Sequence, residues 1–463
     1  MLTFEWKIKL LMILRLTCLL LLPFWMSAQT FYRGADLSYV NEMQDCGVVY
    51  KQEGTDIDPY ALFAKEGCQL VRLRLWNNPT WYKDLNSGKM YSNLEDVKKS
   101  ISRSKQAGMK VLLDFHLSDS WADPQKQLVP ASWANVVGNT DVLKDSLYNY
   151  IYHTLMGLDE AGLLPEMVQV GNETNRGILL SAADNAKWTM EWPRNAILFN
   201  AGLKAVRDAA LHSQKQIFSI IHLADPGEAS WLAETFNKNG VTDYDAIGLS
   251  YYWAWHKPRT IQDCAQTIKS LKQKYNKEII VLETGYIWTL AGNDQANNII
   301  NEVHPSYAPP SHDSQYRWLR DLSKAVEEAG GMGVLYWEPA WVSSPCSTPW
   351  GKGSHQENAT FFDFNNNAAR DGGFRWLREG KVQATTSTKT EPMITFDTTS
   401  RSIFYMGHEQ AMVNVYAIDG KLIYKTTISP EGSQVLPGNI KGLVIVNLST
   451  KSGINNSITI TLP

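Results

Sequence analysis

The chain has almost no charge imbalance: Lys+Arg 44 stand against Asp+Glu 47, a formal net charge of −3. No basic cluster longer than a few residues occurs, so nucleic acid and other polyanions are excluded as partners. Cysteine is sparse, at five residues, and the spacings match no metal motif. No G-x-G-x-x-G turn follows the first strand-like run, which removes the main reason to expect a nucleotide-binding sheet. The apolar run from Leu16 to Phe24 is too short and too early for a stable membrane span.

That run has a different reading. Lys7, Lys9 and Arg15 precede it and the small residues Ser27 and Ala28 follow it, the pattern of a secretory signal peptide over residues 1–28. The expected location is secreted, periplasmic or cell-surface. Cys18 falls within the signal, leaving Cys46, Cys68, Cys264 and Cys346, an even count whose pairing the spacing does not reveal. Tryptophan is abundant, with Trp 17, about twice an average chain's share. Indole faces stack on the flat C–H faces of sugar rings, so a Trp-rich exported chain points to carbohydrate as much as to a large core.

Short apolar runs alternate with amphipathic stretches along most of the length. The runs are Arg33–Tyr39, Leu70–Trp76, Lys110–His116, Met167–Glu173, Gln216–His222, Asp245–Tyr252, Ile279–Tyr286 and Gly333–Glu338. Helical patterns lie between them, as at Leu94–Gly108, Leu143–Gly162, Asn195–His212 and Thr260–Tyr275. This alternation implies parallel strands, and runs apolar on both faces imply a sheet buried within helices. Eight such units predict an α/β fold, a closed (β/α)8 barrel over residues 29–380. Nearly every run ends in polar or aromatic residues, as one pocket built from eight strand ends requires. Residues 381–391, rich in Thr, Ser and Lys, read as a linker. Residues 392–463 alternate as short strands, with Asp419-Gly420 as a hairpin turn, and predict a small all-β sandwich.

Two carboxylates close apolar strands: Glu173 in Val-Gln-Val-Gly-Asn-Glu, and Glu283 in Ile-Ile-Val-Leu-Glu-Thr-Gly. They end the fourth and seventh runs, which lie nearly opposite across a small barrel. A buried strand end tolerates an ionisable group only beside a wet cleft or a partner. Glycosidic hydrolysis needs such a pair, one carboxyl to protonate the leaving oxygen and a second to attack the anomeric carbon or activate water. Asn172 beside Glu173 is placed to hold a sugar hydroxyl. Arg74 is expected to pair with the second carboxylate, and Tyr251 or Tyr252 to donate a hydrogen bond to it. Glu338, beside Trp337 and Trp341, is expected in the cleft wall as a hydroxyl ligand. Asp36 and Asp114 are expected as ion-pair partners of Arg72 or Arg74.

These stretches, in this order, resemble glycoside hydrolase family 53, the endo-β-1,4-galactanases. The match rests on Phe31-Tyr-Arg-Gly-Ala-Asp-Leu-Ser, Val71-Arg-Leu-Arg-Leu-Trp-Asn-Asn-Pro, Asp114-Phe-His-Leu-Ser-Asp-Ser-Trp-Ala-Asp-Pro and Gln169-Val-Gly-Asn-Glu. It continues in Gly248-Leu-Ser-Tyr-Tyr, Leu282-Glu-Thr-Gly-Tyr and Tyr336-Trp-Glu-Pro-Ala-Trp. The resemblance implies a retaining mechanism, with Glu173 as acid/base and Glu283 as nucleophile. It implies substrate contacts from Arg74, His116, Asp119, Trp121, Asn172, Tyr251 and Trp337, and β-1,4-galactan as the polysaccharide substrate. No cofactor is expected for catalysis. Some bacterial members hold a structural calcium between the loops after strands seven and eight. Asp294, Asn298 and Glu357 are the candidate ligands here, with Ala296 where a His ligand is expected. The tail resembles domains that some Gram-negative bacteria use in export or surface attachment, which implies a partner there. Trp121, Trp288 and Trp341 are the expected sugar platforms. The alternatives are an endo-mannanase or glucanase of the same clan, or a carbohydrate-binding protein without catalysis.

Overall fold

Eight strands form one closed, wholly parallel barrel: β1 (Tyr32–Asp36), β2 (Leu70–Leu75), β3 (Lys110–Phe115), β4 (Met167–Val170), β5 (Phe218–Ala224), β6 (Ala246–Ser250), β7 (Glu278–Glu283) and β8 (Gly333–Tyr336). Each pairs with its sequence neighbours, and β8 returns to β1 through Tyr32↔Gly333 to Ala35↔Tyr336. The computed structural model describes residues 31–462, apart from 86–87, 188–189, 388–393, 398–399, 406–409, 431 and 451–454. The segment read as a signal peptide lies outside the described residues.

Helices follow the strands: α1 (Pro59–Glu66), α2 (Leu94–Gln106), α3 (Thr140–Glu160), α4 (Arg194–Ser213), α5 (Pro226–Lys238), α6 (Ile261–Tyr275), α7 (His312–Glu328) and α8 (Gly373–Ser387). Their starts are written in the sequence. Asp58 accepts the Ala61 amide, Asn93 that of Asp96, and Thr260 forms a capping box with Asp263. Helix α6 buries Ile261, Cys264, Ile268 and Leu271, one stripe at helical spacing, against the barrel.

The barrel interior is layered. Leu70, Leu112, Met167, Ile220, Ala246, Ile280, Leu282 and Leu335 form an apolar plug at the N-terminal end. Because side chains on one face recur every second residue, the next inward positions are Arg72, Asp114, Gln169 and His222, all buried. A polar stratum thus lies above the plug, facing the C-terminal mouth where barrel sites assemble. Gly248 leaves room for the plug: a Cβ there would meet Leu282 Cδ1 at 2.2 Å. The β6–β7 register shifts between Leu249 and Ser250, so that Ser250 pairs with Glu283. Such an irregularity re-aims side chains. Leu282 enters the plug while Glu283, one residue on, lines the mouth.

A disulfide joins Cys46, at the end of the short helix Val40–Asp45, to Cys346 beyond β8. It closes a sequence separation of 300 residues. Cys68 and Cys264 are buried free thiols.

The chain divides into two compact units, Met1–Phe374 and Arg375–Pro463. Helix α8 runs into the stretch read as a linker, whose first residues carry no Gly or Pro to stop it. The second unit packs the sheet β12-β11-β14-β15 (β11 Ala411–Ala417, β12 Leu422–Ile428, β14 Gly442–Thr450, β15 Asn455–Leu462) with the sheet β9-β10-β13 (Ile394–Asp397, Ser402–Tyr405, Ser433–Val435). Ile403, Tyr405, Val413, Val415, Val444, Val446 and Leu448 share one core of its own. The alternation in β11 and β14 is that of half-buried antiparallel strands. β9 and β13 went unread in the sequence, being short and carrying little pattern.

Candidate active site

The mouth of the barrel opens into a cleft of about 830 Å3. Glu173 and Glu283 both line it. Carboxylate oxygens of the two, and a ring nitrogen of His222, lie within 4.8 Å of one another. Glu173 follows the end of β4 and holds a left-handed backbone, φ 46°. That conformation costs a non-glycine residue about 1–3 kcal/mol and persists where surrounding contacts over-determine it.

One guanidinium organises the floor. Arg72 Nη1 lies 2.8 Å from Glu283 Oε1 and 3.0 Å from Asp36, and its Nη2 lies 2.7 Å from Asp114. Arg72 Nε donates to Gln169 Oε1 at 3.1 Å, and Nη2 to Asn172 Oδ1 at 2.6 Å. Burial would push Asp114 up, but Arg72 and His116 outweigh it and hold this carboxyl below its ordinary range. Asp36 and Asp114 are therefore the Arg72 partners anticipated from sequence.

Tyr252 Oη donates to Glu283 Oε2 at 3.1 Å. Burial and the neighbouring carboxylates keep that phenol well above its ordinary pKa, so it remains a donor. Burial also raises both glutamates. At Glu283 the charge of Arg72 and the Tyr252 hydroxyl oppose this. Glu173 is raised by burial and then by Glu283, to about 8. The pair's shared proton therefore resides on Glu173.

Several expected positions need correction. The arginine that meets Glu283 is Arg72, not Arg74. Arg74 is enclosed, with Nη1 3.1 Å from Glu338 Oε1. Its guanidinium carbon lies 4.7, 4.5 and 4.2 Å from the ring centroids of Tyr39, Trp76 and Trp121. Glu338 is buried rather than at the cleft wall. Burial and Asp36 hold its carboxyl well above the ordinary range despite Arg74. Tyr251 is buried with its hydroxyl on Arg259 O at 2.9 Å. Adjacent residues at a strand end face opposite sides, so Tyr252 enters the cleft and Tyr251 leaves it.

His116 lies beside Asp114, Nδ1 to Oδ2 3.0 Å, with Trp76 and Trp121 edge-on to its ring, and it is not among the cleft-lining residues. Asp119 accepts the amides of Asn78 (2.9 Å) and Ala131 (2.7 Å), fastening these loops together, and is not among the cleft-lining residues. Trp288 stacks on His312, centroids 4.5 Å apart, and is not among the residues that line this cleft. Trp121, Asn172, Trp337 and Trp341 do line the cleft. Asn172 Nδ2 donates to Ala122 O at 2.7 Å, which fixes the amide's orientation.

Sequence reading missed Asp123, Trp255, His256, Asn297, Trp350 and His355 on the cleft walls. Trp255 and Trp350 are 49% and 56% exposed, large apolar faces presented at the rim. The Trp-Ala-Trp that begins at Trp253, directly after Tyr252, was the available signal for the first of them.

The residues expected as calcium ligands are each held by protein contacts. Asp294 Oδ1 accepts the Ala296 amide (2.9 Å), and Oδ2 accepts those of Ser344 (3.1 Å) and Ser354 (2.7 Å). Glu357 Oε1 accepts the Asn293 amide at 2.6 Å, and Oε2 accepts the Ser343 hydroxyl. Asn298 Oδ1 faces the Asn358 amide at 3.4 Å. Donor hydrogens thus orient each of these oxygens, while a carboxylate oxygen that accepts one donor keeps a second lone pair. Gly353 permits this clamp, since a Cβ there would fall 2.1 Å from Asp294 Oδ1.

Comparison with known proteins supplies the context. The family model for glycosyl hydrolase family 53 matches residues 32–371. The chain is 48% identical over 335 residues to an arabinogalactan endo-beta-1,4-galactanase of Cellvibrio japonicus (strain Ueda107), covering 72% of this chain and 86% of that protein. It is 37% identical over 322 residues to an endo-beta-1,4-galactanase of Bacillus subtilis (strain 168), covering 67% of this chain and 70% of that one. Among solved structures, the Ignisphaera aggregans GH53 catalytic domain aligns with a TM-score of 0.67 at 32% identity, over 77% of this chain and 98% of that chain.

Proposed function

This chain belongs to glycosyl hydrolase family 53, and we propose that it is a retaining endo-hydrolase of β-1,4-galactan with Glu173 as acid/base and Glu283 as nucleophile. The observation that carries the mechanism is the approach of the two carboxylates to within 4.8 Å. Retaining enzymes hold the pair about 5–5.5 Å apart, whereas inverting ones leave about 6.5–9.5 Å for a water. Glu283, kept ionised by Arg72 and Tyr252, attacks the anomeric carbon. Glu173 gives its proton to the departing glycosidic oxygen. Once Glu283 is an ester its charge is gone, and so is the repulsion that holds the Glu173 proton. Glu173 then takes a proton from the water that releases the sugar. The two carboxyls suffice, and no cofactor enters the chemistry.

Galactan is the substrate named for the relatives. Here the cleft supports it with tilted indoles at Trp121, Trp337 and Trp341 and polar groups at Asn172, Asn297 and His355. The axial 4-oxygen of galactose bends the chain away from a flat ribbon, which suits tilted rings over a planar floor. Asn172 is assigned to the sugar 2-hydroxyl. Export belongs to the same proposal, supported by the Cys46–Cys346 bond, since disulfides persist in oxidising compartments. The tail unit, with its own core, is assigned to attachment or export. A reducing-sugar assay on galactan, mannan and cellulose tests the specificity. Release from galactan alone is expected; equal release from all three would refute it and leave the two glutamates untouched.

A further inference from the structure

The backbone that carries Glu173 is braced by a side chain that the mechanism above does not use. Glu173 lies just past the end of β4 with a left-handed backbone, φ 46°. Gly171 opens the turn at φ 84°, and a Cβ there would meet Thr174 Cγ2 at 2.5 Å. A non-glycine residue keeps such a conformation only where neighbouring contacts hold it.

Those contacts come from both adjoining strands. On the β5 side, the Glu173 amide donates to His222 Nδ1 at 3.2 Å, and the Thr174 amide to His222 O at 2.8 Å. On the β3 side the holder is Gln127, in the loop after that strand and only 3% exposed. Its Nε2 donates to the carbonyls of Asn172 (2.8 Å), Asp123 (3.0 Å) and Glu173 (3.2 Å). The amide has two hydrogens, so two of the three oxygens share one of them.

Gln127 is itself anchored. Its backbone amide donates to Asn185 Oδ1 at 2.8 Å, and its carbonyl accepts the Leu180 amide at 2.7 Å. It thus ties the stretch after β4 to the turn at Glu173 and to the wall that Trp121, Ala122, Asp123, Pro124 and Gln125 present to the cleft. Asn172 Nδ2 fastens the same wall through Ala122 O.

We propose that Gln127 is a positioning residue that aims Glu173 at the departing glycosidic oxygen by holding the carbonyls before and after its Cα. The proposal rests on the reading of Glu173 as acid/base. Peptide groups are planar, so fixing the two that flank a Cα fixes its φ and ψ, and with them the direction of the side chain. Without the Gln127 amide, buried carbonyls lose a donor and the turn loses its hold on the β3 side. A catalytic group misplaced by about 1 Å costs about a hundredfold in rate.

The test compares kcat/KM on β-1,4-galactotetraose, whose leaving sugar needs a proton, with kcat/KM on a dinitrophenyl galactobioside, whose leaving group departs without one. It uses the full chain, Gln127→Met, which keeps the length without the donor, and Gln127→Asn, whose amide falls one methylene short. Rates are referred to the fraction of chains that take up a 2-deoxy-2-fluoro-galactoside, so that unfolded chains do not enter. Each variant should lose about a hundredfold on the tetraose, and at least about tenfold less than that on the aryl substrate. Equal losses on the two substrates, or no loss on either, would overturn the proposal. No labelled chain in either variant would make Gln127 a brace for folding alone and overturn it too. Glu173→Ala should show the same split more strongly; its absence there would overturn the reading of Glu173 itself.

Discussion

Replacing Arg74 by Met separates a cage residue from a substrate ligand. The guanidinium lies over Tyr39, Trp76 and Trp121 at 4.7, 4.5 and 4.2 Å, and pairs with Glu338 at 3.1 Å. Desolvated cation–π contacts are worth about 1–2 kcal/mol each, though three on one cation do not add fully. Removing one partner of a buried ion pair costs about 3–5 kcal/mol if the other must stay charged. Glu338 can relieve part of that by taking a proton, because burial and Asp36 already raise its pKa. A net loss of about 3–4 kcal/mol at neutral pH follows. The pH dependence has a definite sign. A carboxyl whose folded pKa lies above its unfolded value binds more protons when folded, so stability falls as pH rises. The deficit of Arg74→Met should thus be smallest where Glu338 is protonated in both folded proteins, and grow as pH rises through its raised wild-type pKa. Arg74→Met with Glu338→Gln should recover at least half of it. Denaturant unfolding followed by tryptophan fluorescence at several pH values measures this, since Trp76 and Trp121 belong to the cage. Unchanged unfolding free energy with a raised KM would refute the reasoning and return Arg74 to the substrate.

Tyr252→Phe removes the hydroxyl that favours ionised Glu283. The nucleophile's pKa should rise, moving the acid limb of kcat/KM up by about one pH unit and lowering the rate about tenfold on that limb; an unmoved acid limb would count against it. Cys346→Ser opens a bond spanning 300 residues, and loop-closure entropy sets its worth at about 5 kcal/mol before native strain or residual structure reduces it. A wild-type melting temperature in that variant would contradict this. Trp255→Ala and Trp350→Ala strip the exposed rim faces. They should raise KM for long galactan about fivefold, one stacking contact of about 1 kcal/mol each, and leave short aryl substrates unchanged. Equal effects on both substrates would place those rings nearer the reacting bond.

The barrel was legible because each strand is apolar on both faces and ends in polar residues. Glu173 and Glu283 stood out as charges where a buried strand stops. What stayed hidden depends on height and loop path. Arg72 and Arg74 share one face of β2, and their height in the barrel, set by the register with β1 and β3, decides which reaches Glu283. Tyr251 and Tyr252 differ by one residue, hence by one face. Glu283 itself enters the mouth through an irregularity in pairing with β6 that no period announces. For Asp119, Asp294 and Glu357 the sequence shows the charge but not the backbone amides that orient each carboxylate. The Cys46–Cys346 pair and the rim tryptophans Trp255 and Trp350 lie in the loops beyond the strands, where side-chain periodicity carries no information.

The central claim is that Glu283 forms a covalent glycosyl ester while Glu173 handles the proton. A 2-deoxy-2-fluoro-galactoside with a good leaving group slows breakdown of such an ester, so the labelled residue can be found by peptide mass mapping. The account predicts one label per chain, on Glu283, with none in the Glu283→Ala variant and labelling retained in Glu173→Ala. A label on Glu173, or none under conditions where the leaving group is released, would contradict it.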